Sequence, residues 1–206
     1  NSEFCIGCDL TIVPMKGWRR LLWFDQTGLP WIQPSPNLPT LDSATVYPGM
    51  VLVEGTQLSE GRGTTRPFEF IGAPFINPRE FADYLKDLEL PGVCFRPAYF
   101  EPTFQKWAGR MCGGVQVHVR DRQAFEAYLT GIAVISAARA LYEDSFKWRE
   151  PPYEYEYEKM PIEILCGGRD IPRMIEQALP PDQIRRSWEA DVVQFLERRK
   201  PYLLYE

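Results

Sequence analysis

The stretch Met50-Val-Leu-Val53-Glu54-Gly-Thr-Gln-Leu-Ser59-Glu60-Gly-Arg62-Gly-Thr64-Thr65-Arg66-Pro-Phe-Glu69 decides how the rest of the chain is read. Its first four residues are apolar and bounded by Gly49 and Gly55, which predicts a short buried strand. The next sixteen, Glu54 to Glu69, hold three glycines, two arginines and three glutamates and read as a polar loop. Loops of that length without structure of their own are usually functional. In open α/β sheets ligands bind off the C-terminal ends of strands, where this loop begins. Gly55, Gly61 and Gly63 let the backbone approach a ligand closely. Arg62 and Arg66 offer bidentate forks to a carboxylate or phosphate. Glu54 and Glu60 are candidate acceptors for sugar hydroxyls, or catalytic acids and bases. The competing reading is an ordinary ordered loop whose arginines pair with its own glutamates. The P-loop pattern G-x-x-x-x-G-K-[ST] is absent.

Upstream, Leu10 to Val13 reads as a short strand ended by Pro14. Pro30, Pro34, Pro36 and Pro39 then forbid both a helix and a central strand. Trp31 and Ile32 within that segment argue for a loop packed on something. Thr40 or Asp42 caps a short helix towards Val46. Downstream, Asn77-Pro78 is a cap followed by a first-turn proline, and Phe81, Tyr84, Leu85 and Leu88 share one helical face. Val93 to Phe100 reads as extended, and Gly114 to Val119 alternates, with His118 opposite the valine face. Asp121 is the expected cap of a long helix whose buried stripe runs from Phe125 to Leu141. The longest proline-free stretch, Thr103 to Glu150, makes this the expected home of the long helix. Asp170 opens a short helix, and Asp182 opens a last one carrying Ile184, Trp188, Val192 and Phe195. The fold class is therefore mixed α/β (α+β), with a boundary expected between residues 1–76 and 77–206.

The chain has 206 residues and is 45% hydrophobic and 25% charged, the balance of a folded globular protein rather than a disordered one. Nineteen prolines exceed the usual share of about 5%. No run of eighteen apolar residues exists, so no spanning helix is expected. Net charge is −5, and the densest basic cluster, Arg198 to Lys200, falls where a helix should end, so no nucleic-acid partner is expected. Five cysteines cannot all pair within the chain, and buried reduced thiols are the default reading. Cys5-x-x-Cys8 lacks a second ligand pair at zinc spacing, so neither a metal nor a cofactor is expected. His118 is the sole histidine and reads as structural ahead of catalytic. Tyr153, Tyr155 and Tyr157 alternate with glutamates, as an edge strand with a charged face would.

The string Leu52 to Glu69, with Gly72-Ala-Pro-Phe75, closely resembles the hallmark of the NamZ-type exo-β-N-acetylmuramidases. The resemblance continues through Val13-Pro-Met-Lys-Gly-Trp-Arg-Arg20, Trp23-Phe24, Pro34-Ser-Pro-Asn37, Cys112 to Val119 and Arg199 to Tyr205, nearly the whole chain. It implies a longer protein with a Rossmann-like N-terminal domain, a smaller C-terminal α+β domain and a cleft between them. This chain then corresponds to the tail of the first domain and all of the second. The implied activity is release of terminal N-acetylmuramic acid from the non-reducing end of peptidoglycan fragments. The implied partners are those sugars and the missing N-terminal half, and the implied compartment is periplasmic or extracellular, with a cytoplasmic one left open.

The resemblance offers Glu54, Ser59, Glu60, Arg62, Thr64, Thr65, Arg66 and His118 as substrate-binding candidates. The catalytic residue stays unknown, because the glutamate usually proposed belongs to the absent half; Glu54 and Glu60 remain candidates only. The lactyl carboxylate of N-acetylmuramic acid asks for a guanidinium, here Arg62 or Arg66. The alternative from another class is a non-catalytic carbohydrate-binding or scaffolding module. A zinc or redox protein built on Cys5 and Cys8 is the third reading.

Overall fold

The computed structural model describes residues 3–205, and its fold is mixed α+β. Among the described residues there are six α-helices and a three-stranded antiparallel sheet of order β1-β3-β2. The strands are β1 (Phe70–Ala73), β2 (Val93–Phe100) and β3 (Cys112–Val119). The helices are α1 (Leu41–Met50), α2 (Pro78–Asp87), α3 (Ala127–Leu141), α4 (Pro161–Cys166), α5 (Asp170–Glu176) and α6 (Pro181–Arg199). β3 pairs Gly114 with both Gly72 and Ala98, so it is the central strand. Pro97 is accommodated because β2 lies at an edge, where a missing ladder donor costs least. Val115 and Val117 turn into a core shared with Met50, Leu52, Phe68, Ile71, Phe81, Ile132 and Ile135.

Local chemistry explains the helices that the sequence foresaw. The Thr40 hydroxyl accepts from the Ser43 N–H, and the Asn77 side chain accepts from the Arg79 and Glu80 N–H groups, so both caps function as expected. Pro78 and Pro181 occupy first-turn positions that need no N–H donor.

Several expectations are corrected. Met50–Val53 is not a strand: α1 runs through Met50 and continues as a 3₁₀ turn, Val51–Gly55. The burial was legible, but a four-residue apolar run does not distinguish strand from buried helix. Residues 10–13 form no strand; Leu10, Ile12 and Val13 are exposed and have no ladder partner. Asp121 caps a short turn by accepting from Gln123 and Ala124, and α3 begins only at Ala127. The longest described helix is α6, with 19 residues, because a first-turn proline starts a helix rather than breaking it. Its apolar stripe is buried only at the start: Ile184 is sealed, whereas Val192 and Phe195 are exposed. Residues 153–157 make no edge strand; Tyr153 and Glu156 close a tight turn, Tyr155 and Tyr157 face solvent and Tyr153 turns inward. In the proline-rich segment Trp31 packs edge-on against Phe24 at 5.1 Å, but Ile32 is exposed.

The α1 and α3 backbones meet at Gly49 and Gly131. A Cβ at Gly131 would collide with the Gly49 carbonyl, and one at Gly49 with the Ala127 carbonyl. Alanine at a mid-helix glycine normally stabilises by about 0.5–1 kcal/mol. Here Gly131→Ala is expected to destabilise by about 1–3 kcal/mol, the range for overpacking. A lower urea midpoint at unchanged slope is the readout.

Cysteine placement divides likewise. Cys112 is buried and Cys94 and Cys166 are half-buried, whereas Cys5 and Cys8 are exposed, against the default reading for that pair. Burial pushes the Cys112 and Cys166 thiols up to about 11. Iodoacetamide at pH 8 should therefore modify these two roughly a hundredfold more slowly in the native protein than after unfolding, since only the thiolate reacts.

Candidate functional site

The hallmark loop is sewn to the body on several sides, which gives its side chains fixed positions. Ser59 and Gly72 exchange both backbone hydrogen bonds, and the Phe68 N–H donates to the Glu60 carbonyl at 2.6 Å. On the other flank the Gln57 N–H donates to the Lys147 carbonyl, and the Arg149 N–H to the Gly55 carbonyl at 2.9 Å. The loop glycines approach their own chain: a Cβ at Gly55 would meet Ile162, one at Gly61 would meet Phe70, and one at Gly63 would meet Thr103 and Phe104. These glycines serve packing, not the ligand approach expected for them.

A cleft of about 720 Å³ opens beside the loop, lined by Glu54, Thr56, Gln57, Glu60, Arg62, Gln105, Lys106, Trp107, Arg149, Tyr153 and Glu154. One wall is a continuous row of charge. The Tyr153 hydroxyl donates to Glu54 Oε2 at 2.8 Å, and Arg62 reaches Glu54 Oε1 at 2.5 Å. Arg62 Nε also bridges to Glu60 Oε1 at 3.1 Å, and Lys106 Nζ meets Glu60 Oε2 at 2.9 Å. Glu60 is 2% exposed and Glu54 7%, so the pairing is what makes their burial tolerable.

The electrostatics follow from that crowding. Burial opposes the charge on Arg62, but Glu54 and Glu60 outweigh it and hold the guanidinium above its ordinary value. Burial pulls Lys106 below the usual lysine value, against the opposing attraction of Glu60. Burial, reinforced by the Glu54 carboxylate, pushes the Tyr153 phenol upward, so it remains a proton donor to Glu54.

Each Glu54 and Glu60 oxygen accepts one of these bonds, which leaves each with further acceptor capacity. Trp107 and Tyr153 also line the cleft, the Trp107 ring carrying the Arg110 guanidinium 4.9 Å from its centroid. The Trp107 ring is oriented by its indole N–H, which donates to the Gln57 carbonyl at 2.6 Å. Backbone strain gathers here too: Gln105, Trp107 and Glu154 have φ of 63°, 61° and 52°. Non-glycine residues held in that region cost of order 1–3 kcal/mol and concentrate at ligand sites.

The remaining sequence candidates lie apart from this row. Arg66 bridges to Glu69 at 3.1 Å, and Glu69 also accepts from Thr40, Ser43 and Gln116. Arg66, Glu69 and His118 line a separate cavity of about 300 Å³, where His118 Nε2 is enclosed without a hydrogen-bond partner among the described residues. Thr64 and Thr65 line a third, of about 610 Å³, with Asn37 and Phe104. Ser59 is buried, and its hydroxyl accepts from the Gly61 N–H. Both loop arginines thus pair with loop glutamates, as the ordinary-loop reading predicts, while Glu54, Glu60 and Arg62 still border an open cleft.

Sequence reasoning missed Lys106, Trp107 and Arg149, which arrive from segments without a motif. Only the proximity of Lys106 and Trp107 to the left-handed turn at Gly109 hints at a special backbone there. No group of three or more His, Cys, Asp or Glu disposed to hold a metal occurs among the described residues. None of the described helices is long and apolar enough to cross a membrane.

An α+β body carrying this loop and this charged cleft defines a class that family comparison makes specific. The family model "Exo-beta-N-acetylmuramidase NamZ, C-terminal" matches residues 45–205, and its N-terminal counterpart matches residues 1–42. The chain belongs to the NamZ exo-beta-N-acetylmuramidase family. It is 47% identical over 205 residues to the peptidoglycan beta-N-acetylmuramidase NamZ of Bacillus subtilis (strain 168), an alignment covering 100% of this chain and 48% of that protein. The chain thus spans about half the length of the curated relative. Two crystal structures of DUF1343 family proteins from Bacteroides fragilis NCTC 9343 share its fold. The first has TM-score 0.86 and 30% identity, covering 100% of this chain and 54% of the other. The second has TM-score 0.68 and 26% identity, covering 97% and 50%.

Lys106 spends its ammonium donors on the Val53 and Leu58 carbonyls and on Glu60. Lys106→Met should therefore destabilise by about 3–5 kcal/mol, the cost of leaving a buried partner charge under-compensated. Chemical denaturation is the check, and a change below 1 kcal/mol would show that the tie contributes little.

Proposed function

We propose that this chain forms part of an exo-β-N-acetylmuramidase that hydrolyses terminal non-reducing N-acetylmuramic acid from peptidoglycan fragments, and that the cleft beside the hallmark loop is one wall of the sugar site. The observation that carries the reading is the row Tyr153–Glu54–Arg62–Glu60–Lys106: paired, buried carboxylates with spare lone pairs, facing a cleft of sugar size beside Trp107. Family membership and the name of the Bacillus subtilis relative support the same substrate class.

In this reading Glu54 and Glu60 accept from sugar hydroxyls, and the rings of Trp107 and Tyr153 cover C–H faces. The row is set before substrate arrives, so little reorganisation is needed on binding. Glycoside hydrolysis also needs an acid and either a nucleophile, a base or substrate assistance around an oxocarbenium-like transition state. We assign that chemistry to a wall supplied by the remainder of a protein of the relatives' length, and substrate positioning to this one.

The test uses the full-length protein. Hydrolysis of a chromogenic N-acetylmuramic acid β-glycoside is expected, and Glu54→Gln should lower kcat/KM by about 10- to 100-fold, the size of a lost charged hydrogen bond. Glycan affinity in the 206-residue chain, with no turnover by the full-length protein, would favour the binding-module alternative instead.

A further inference from the structure

We propose that Arg149, a residue outside the hallmark loop, receives the anionic substituent of the bound sugar and so sets the preference for a carboxylated over a neutral N-acetylhexosamine; this rests on the muramidase reading above. Three cations line the cleft: Arg62, Lys106 and Arg149. Arg62 is held by two carboxylates, Glu54 and Glu60. Lys106 is held by Glu60 and two backbone carbonyls, which accounts for all three of its donors. Among the described residues, Arg149 alone of the three has no carboxylate within ion-pair distance. Glu154, also on the lining, is exposed and forms no ion pair with it.

A ligand carboxylate that approached Arg62 would meet the negative charge of Glu54 and Glu60 at the same place. Arg66 is no competitor in this cleft, because it pairs with Glu69 beside a different cavity. At Arg149 an arriving anion finds a guanidinium whose charge is not already balanced.

The residue is also positioned for the task. Its N–H donates to the Gly55 carbonyl, and Thr56 bridges to the neighbouring Trp148, so its backbone is fixed next to Glu54. Its guanidinium lies over the Tyr153 ring, 5.3 Å from the centroid. Stacking occupies a face of the guanidinium and leaves the N–H edge available for a two-point contact with a carboxylate. The same Tyr153 donates to Glu54, so one ring aligns the hydroxyl-binding and the anion-binding parts of the cleft.

The experiment compares full-length wild type, Arg149→Gln and Arg149→Lys on chromogenic β-glycosides of N-acetylmuramic acid and N-acetylglucosamine. For Arg149→Gln the ratio of kcat/KM values, muramic over glucosamine, is expected to fall at least tenfold, carried mainly by KM for the muramic substrate, because a remote charge contact is made in ground and transition states alike. Arg149→Lys should recover part of the ratio, since it keeps the charge and loses the fork. A ratio within twofold of wild type, or equal losses on both substrates, overturns the assignment while leaving the muramidase reading intact. Wild-type protein that hydrolyses neither glycoside overturns both. Should Arg149→Gln fail to fold, Arg149→Lys decides: the assignment stands if its ratio falls threefold or more and fails if the ratio is unchanged.

Discussion

Two carboxylates, Glu54 and Glu60, are withdrawn from water beside an open cleft, and the structure around them is arranged to make that tolerable. An isolated buried carboxylate would cost several kcal/mol, so each must find cationic and hydrogen-bonding partners at short range. The partners come from three places: Arg62 from the same loop, Lys106 from the segment after β2, and Tyr153 from the turn before α4. The requirement to hold these groups together explains why the loop is tied to residues 147–149 on one flank and to Gly72 on the other. It also accounts for strained backbone at Gln105 and Trp107, on either side of the lysine that must reach Glu60.

Much of the scaffold was legible because its signals are local. Asn77-Pro78 announces α2 through a cap and a residue that needs no donor, and the alternation of Val115, Val117 and Val119 announces β3. What failed was the choice between conformations with similar local patterns. Leu52 and Val53 are as buried as a central strand would make them, yet they continue α1, which holds Pro48 within it, into a 3₁₀ turn. β1 escaped notice because four residues with a glycine among them, Phe70–Ala73, carry too little pattern to register. The tyrosine tract misled in another way: period-two alternation was present, but the chain reverses at Tyr153–Glu156, so the rings do not share a face.

The candidate site was only partly legible in the sequence. The loop string offered Glu54, Glu60 and Arg62 as candidates, and the structure places those three on one wall of the cleft. Nothing in the string separates Arg62 from Arg66, although one borders the large cleft and the other, itself half-exposed, pairs with Glu69, which is buried with Ser43 and Gln116. That difference depends on which way a turn presents each side chain. Lys106 and Arg149 belong to segments with no recognisable motif, and only tertiary proximity gives them a role.

The bond between Tyr153 and Glu54 joins residues 99 positions apart, and Lys106 reaches back 46 positions to Glu60. Contacts of such range carry a loop-closure entropy that a local pair such as Arg62–Glu60 does not. A chain that ends before residue 153 can already pair Glu60 with Arg62 and Lys106, but it leaves Glu54 without its phenol donor. The cleft wall is for that reason a report on complete folding: a chain that presents it has already brought its middle and its beginning together.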